Sequence, residues 1–92
     1  MTPEEFRRFG HQLVDWVASY REGIRDLPVM SRVAPGEVRS RFPGAPPQEG
    51  GHVPEALESF RRDVLPGITH WNHPGFFAYF PSNTDLASVL GD

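Results

Sequence analysis

The sequence contains no cysteine and no lysine. The first absence excludes a disulfide framework, a thiolate zinc site and a thiol nucleophile. The second excludes, within these residues, a Schiff-base lysine and a phosphate-binding lysine of the P-loop kind. All nine basic side chains are arginine, set against twelve acidic ones, and the formal charge of -3 with a pI near 5.7 argues against the basic face of a nucleic-acid binder. Long hydrophobic runs are missing as well. No stretch approaches the ~18 apolar residues of a membrane span, and Met1-Thr2-Pro3-Glu4-Glu5 has no apolar core of a signal peptide. The chain reads as soluble and cytoplasmic. Its 92 residues make at most one small domain, and a compact domain of that size buries only roughly 60 to 65% of its unfolded surface.

Thr2 to about Ile24 reads as one long amphipathic helix. Thr2 suits the N-cap, Pro3 the first helical position, and Glu5 completes a capping box three residues on. Phe6, Phe9, Leu13, Trp16, Val17, Tyr20 and Ile24 recur at spacings of 3 and 4 and form one apolar stripe. Gly23 and Pro28 mark its end. Residues 27 to 54 then hold six of the ten prolines, with Gly36, Gly44, Gly50 and Gly51. Proline lacks the amide donor and restricts its predecessor, so this is an irregular arm with at most a short helical turn between Pro35 and Phe42. A second helix is expected from about Pro54 to Leu65, with Ala56, Leu57, Phe60, Val64 and Leu65 on one face, stopped by Pro66-Gly67. Five of the eleven aromatic residues follow within Trp71 to Phe80. Ser82, Asn83 or Thr84 would then cap a third helix through Leu86, Val89 and Leu90, which is still running at Asp92. These pieces do not close a layered domain, and the stripe of the first helix has no evident partner in the chain; another copy or further protein must cover it.

Four kinds of site present themselves. His70 and His73 lack the third ligand that even an open zinc site requires, so backbone hydrogen bonding or a place facing a cleft is the alternative. Arg7-Arg8 and Arg61-Arg62, with Glu4, Glu5, Glu58 and Asp63 nearby, read as solvated helix faces. Ser82 and Asn83 have no base beside them, and a lone serine here suits a helix cap. Phe76-Phe77-Ala78-Tyr79-Phe80 has the composition of a core strand. Alternatively, the polar and rigid flanks Trp71-Asn72-His73-Pro74 and Pro81-Ser82-Asn83 let it present ring faces and a hydroxyl to an aromatic ligand.

At these residues the sequence resembles the N-terminal region of the pyridoxal-phosphate-dependent group II amino-acid decarboxylases, most closely those acting on aromatic L-amino acids. The resemblance rests on Glu5-Phe6-Arg7-Arg8-Phe9-Gly10, Val14-Asp15-Trp16, Tyr20, Val33-Ala34-Pro35-Gly36 and Ala45-Pro46-Pro47-Gln48-Glu49. Above all it rests on Thr69-His70-Trp71, Pro74 and Phe76-Phe77-Ala78-Tyr79-Phe80-Pro81. It implies a mainly α segment of two to three helices with a proline-rich arm, the opening part of a fold type I enzyme and not a complete α/β domain. Residues 1–85 would be a helical dimerisation segment with a substrate-cleft strand or loop at 69–82, and residues 86–92 the start of the large cofactor domain. The resemblance further implies a homodimer through the first helix and arm, with Tyr79, Phe80, Pro81 and Ser82 lining the cleft for an aromatic amino acid. Family members from animals commonly have Thr at the Ser82 position and an aromatic residue at Gly75. Pyridoxal phosphate would act as electron sink for loss of CO2. The lysine, aspartate and histidine that serve it belong to later parts of the family, so no catalytic, cofactor-binding or metal-binding residue is expected in this chain. Neither a nucleic acid nor a membrane is an expected partner. A stand-alone helical interaction module without activity is the alternative reading.

Overall fold

The computed structural model describes residues 1–79 and 84–92. Its dominant element is α1, Pro3–Gly23, prolonged by a 3-10 turn at Ile24–Asp26. The expected capping box is formed. Thr2 Oγ1 accepts from the Glu5 amide at 3.1 Å, and the Glu5 carboxylate accepts from the Thr2 amide at 2.8 Å. That second bond holds the Glu5 carboxyl below the usual carboxylate range.

The arm contains one short helix, α2, Glu37–Ser40, in the interval left free by Pro35 and Phe42. Gly36 precedes it at φ 82, in the left-handed region where a side chain would be strained. The next helix differs from the sequence expectation. Only Val53–Ser59 is α-helical (α3); Phe60–Val64 widens into a π turn closed by the Leu65 amide on the Phe60 carbonyl, and Leu65–Gly67 is 3-10. The physical reason lies in Pro66, which has no N–H to give the Arg62 carbonyl four residues back. The guanidinium of Arg41, from the arm, donates to the Arg62 and Asp63 carbonyls instead, at 3.4 and 3.3 Å. Asp63 is buried beneath them, accepting from Arg62 at 3.0 and 2.7 Å and from Ser59 at 3.1 Å. The Arg62 hydrogen bonds, with that of Ser59, keep its carboxyl below the usual range.

Gly67 lies directly on α2. A Cβ there would stand 2.5 Å from Val38 Cγ2, so the bare backbone is what lets the arm fold against the end of the π segment. Ser31 adds a hydrogen bond to the Pro66 carbonyl at 3.0 Å. The last helix, α4, spans Leu86–Gly91 and is capped by Asp85, whose carboxylate accepts from the Ser88 amide at 2.8 Å. The expected cap at Thr84 is thereby corrected; Ser82 and Asn83 lie outside the described residues. An Asp one residue before the apolar run is the stronger cap because its charge also meets the positive helix end.

Ile24 is the only buried apolar side chain among the described residues, and it is still 7% exposed. The accessible surface is 7598 Å², whereas a compact monomer of this mass exposes about 5,400 Å². Likewise the radius of gyration is 15.5 Å, against about 12 Å for a compact domain of this length. Part of the exposed apolar surface lies on α1. Trp16 packs edge-on against Phe60 at 5.5 Å and so covers one side of the stripe, but Phe6, Leu13 and Val14 stay 70, 50 and 48% exposed. Their centre is Gly10, where a Cβ would meet nothing within 4 Å. α4 lies beside the same flank, with Leu86 and Leu90 facing Val14, Val17 and Ala18 across a gap of about 170 Å³, and Arg21 donates to the Thr84 carbonyl at 3.0 Å.

Candidate functional site: an exposed aromatic stack

Residues 70–76 form two successive turns stapled to the segment that follows α1. The His70 amide donates to the Val29 carbonyl at 2.9 Å, the His73 amide to the His70 carbonyl at 3.0 Å, and the Phe76 amide to the His73 carbonyl at 3.0 Å. His73 Nδ1 accepts from the Gly75 amide at 2.8 Å, which puts the ring proton on Nε2, aimed at the Arg25 carbonyl 3.3 Å away. Gly75 is tightly seated, since a Cβ would stand 3.2 Å from both His73 Nδ1 and Val29 Cγ2.

His70 is 3% exposed and its Nδ1 lies 2.7 Å from the Tyr20 hydroxyl on α1. Burial lowers the imidazole pKa, helped by His73, and burial raises that of the phenol. Both groups are thus neutral near pH 7. We assign the proton to Tyr20 as donor, because a phenol donates more strongly than a neutral imidazole N–H. Tyr20 itself is stacked on Trp16, 5.5 Å between centroids at 15°.

The turns bring three rings together. Trp71 stacks on Phe76 at 5.2 Å and 19° and on Tyr79 at 5.4 Å and 18°, and Phe76 leans on Tyr79 at 6.5 Å. A core strand is not formed here: no strand occurs at Phe76–Tyr79, and Tyr79 has φ 61. A tyrosine in the left-handed region costs about 1 to 2 kcal/mol, so the rings are gathered at an energetic penalty that a strand would avoid. Trp71 is 50% and Tyr79 75% exposed. Of the site residues expected from sequence, Tyr79 joins this stack; Phe80, Pro81 and Ser82 lie outside the described residues. Trp71 and Phe76 as partners of Tyr79, and the Tyr20 to His70 bond across 50 residues, carry no local sequence signal.

The neighbouring cavity, about 450 Å³ and open, is walled by Leu27, Pro28, Leu65 and Pro66, with His70 and Glu37 at its polar side. None of the three stacked rings lines it; His70, the residue before Trp71, does. Neither histidine gathers with further His, Asp or Glu into a metal-binding group among the described residues, and no described helix is long and apolar enough to cross a membrane.

Residues 35–92 match the profile of the pyridoxal-dependent decarboxylase conserved domain. The chain belongs to that family. Over all 92 residues this family member is 41% identical to a phenylacetaldehyde synthase of Arabidopsis thaliana, 40% to a tyrosine decarboxylase of Papaver somniferum and 41% to a tryptophan decarboxylase of Camptotheca acuminata. It spans 18 to 19% of the length of those relatives. Among solved structures it superposes on the Oryza sativa TDC crystallised with PLP and tryptamine with a TM-score of 0.88 at 31% identity. It also superposes on the Catharanthus roseus tryptophan decarboxylase in complex with L-tryptophan, with a TM-score of 0.86 at 35% identity. In each case 99% of this chain and 19% of the other is covered. The helical architecture of the segment is therefore that of pyridoxal-dependent decarboxylases. Its own donor set does not fit the family's cofactor, because there is no lysine amine to bond the aldehyde.

Proposed function

We propose that this chain is the N-terminal helical segment of a pyridoxal-phosphate-dependent decarboxylase of aromatic L-amino acids, in which it supplies dimer contacts and one wall of the substrate cleft. The observation that carries the reading is the exposed Trp71–Phe76–Tyr79 stack in a chain matched end to end by tyrosine and tryptophan decarboxylases. Bound elsewhere in the enzyme, the cofactor supplies the electron sink that makes loss of CO2 feasible. The residues here have other work. Stacked rings receive the aromatic side chain of the substrate, each ring contact adding roughly 0.5 to 1.5 kcal/mol, and they exclude water from one side of it. Tyr79, with Phe80, Pro81 and Ser82 beside it in sequence, forms that wall. The exposed flank of α1 around Gly10 packs on its own copy in an antiparallel pair, and the arm lies across the partner. An excess surface of about 2,000 Å² is the scale that a permanent interface removes from water.

One relative of equal similarity favours a second reaction, oxidative conversion to an aldehyde, since it is a phenylacetaldehyde synthase. The test is product analysis with the full-length protein carrying this segment, pyridoxal phosphate and L-tyrosine, L-tryptophan or L-phenylalanine. Amine and CO2 in equal amounts are expected. Aldehyde, CO2, ammonia and hydrogen peroxide formed at the expense of dissolved O2 select the oxidative reaction, and no turnover of any of the three refutes both.

A further inference from the structure

We propose that Tyr20 and His70 are positioning residues for the aromatic wall, acting at a distance from the substrate by fixing the backbone that carries Trp71. This inference rests on the proposed function and adds to it a role for α1 beyond dimerisation. Tyr20 takes no part in the stack of Trp71, Phe76 and Tyr79; its partners are Trp16 and His70. Its hydroxyl is nevertheless the hydrogen-bond partner of a side chain that is 3% exposed. His70 and Trp71 are adjacent, so a rotation of the His70 backbone swings the indole. Three anchors oppose that rotation: the amide on Val29, the carbonyl under His73, and the imidazole on Tyr20. The first ties the turn to the segment that follows α1, and the second is a bond of the turn itself. The third ties the turn to a helix of 21 residues whose register is fixed by its capping box and by Trp16 against Phe60.

The stack needs such an anchor. Trp71 and Tyr79 are largely exposed, and Tyr79 sits at φ 61, so neither burial nor backbone preference holds the two rings 5.4 Å apart. Removing the Tyr20 hydroxyl leaves a buried imidazole nitrogen without a partner, and the turn relaxes to find one. The reacting atoms are untouched. The signature is therefore weaker capture of the aromatic side chain without a slower chemical step.

The experiment uses the full-length enzyme with L-tyrosine and L-tryptophan. Tyr20→Phe is expected to raise KM about threefold to tenfold, the range of one net hydrogen bond, with kcat within about twofold. It should also weaken the near-ultraviolet circular dichroism of the Trp71–Tyr79 pair. His70→Ala should do the same, and His70→Asn, whose amide oxygen can accept from Tyr20 where Nδ1 did, should restore both readouts. Combined with Trp71→Ala, Tyr20→Phe should add no further rise in KM, because the ring it positions is already gone. A Tyr20→Phe protein with a lower Tm but unchanged KM and dichroism overturns the proposal, as does additivity with Trp71→Ala. If Tyr20→Phe does not fold, the contrast between His70→Ala and His70→Asn decides. If the wild type turns over no aromatic amino acid, the functional reading has failed, and the dichroism alone upholds or overturns the positioning role.

Discussion

Gly10 is a helix-interior glycine where nothing in the chain demands one. A Cβ built there meets no atom within 4 Å, and glycine costs about 0.8 to 1 kcal/mol relative to alanine inside a helix. Considered alone, the chain should therefore gain about that much helix stability from Gly10→Ala. In the proposed dimer the sign reverses. Gly10 is central to the exposed flank made by Phe6, Leu13 and Val14, and a small residue lets two helices approach closely, near the short end of the 8 to 10 Å range. One added methyl in a packed contact costs about 1 to 3 kcal/mol. A two-fold interface places the substitution on both copies, so the pair loses about 2 kcal/mol or more, roughly thirtyfold in Kd. Far-ultraviolet circular dichroism of the dilute chain reads the first effect, and sedimentation equilibrium of the full-length protein reads the second. A Gly10→Ala protein that dimerises as tightly as the parent refutes the placement of this flank in the interface.

Two further outcomes follow from contacts elsewhere. Gly67→Ala should lower stability by about 1 to 3 kcal/mol in a thermal melt, because its methyl strikes Val38; adding Val38→Ala should recover most of that loss, and no recovery would mean that another strain is responsible. The imidazole of His70 has its pKa lowered by burial below the ordinary value near 6.5. The unfolded chain then binds the proton first, so the contribution is complete above about pH 6.5 and is lost as pH falls toward the depressed folded value. The fall in Tm from pH 7 to pH 5 should accordingly be shallower in His70→Asn than in the parent; equal slopes would remove His70 as the cause.

How much of this was legible before the structure depends on how local each cause is. Thr2, Pro3 and Glu5 act within one turn, and the N-terminus of α1 falls where they place it. The prolines of the arm likewise leave only the short interval that α2 occupies. The π turn at Phe60–Val64 was not legible, because the apolar spacing of Phe60, Val64 and Leu65 suits an α-helix equally well and the deciding group, Arg41, lies 21 and 22 residues away from the carbonyls it caps. The aromatic run misled in the direction its composition pointed. β-propensity describes a pleated, half-buried surface, whereas these rings stack through turns with Tyr79 in the left-handed region. The residues alone offered the segment containing Tyr79 as a ring surface for an aromatic ligand, and the resemblance singled Tyr79 out within it. That Trp71 and Phe76 gather around it is a fact of the fold, and that Tyr20 reaches His70 is another.

The account stands on the aromatic wall, and the kinetics of Tyr79→Ala in the full-length enzyme test it most directly. Loss of its stacked contact with the substrate ring, at roughly 0.5 to 1.5 kcal/mol, together with loosening of Trp71, predicts a KM for L-tyrosine or L-tryptophan raised about tenfold. Affinity for pyridoxal phosphate should be unchanged. An unaltered KM, or a loss of cofactor in proportion to the loss of activity, would contradict the claim that this segment forms the substrate wall.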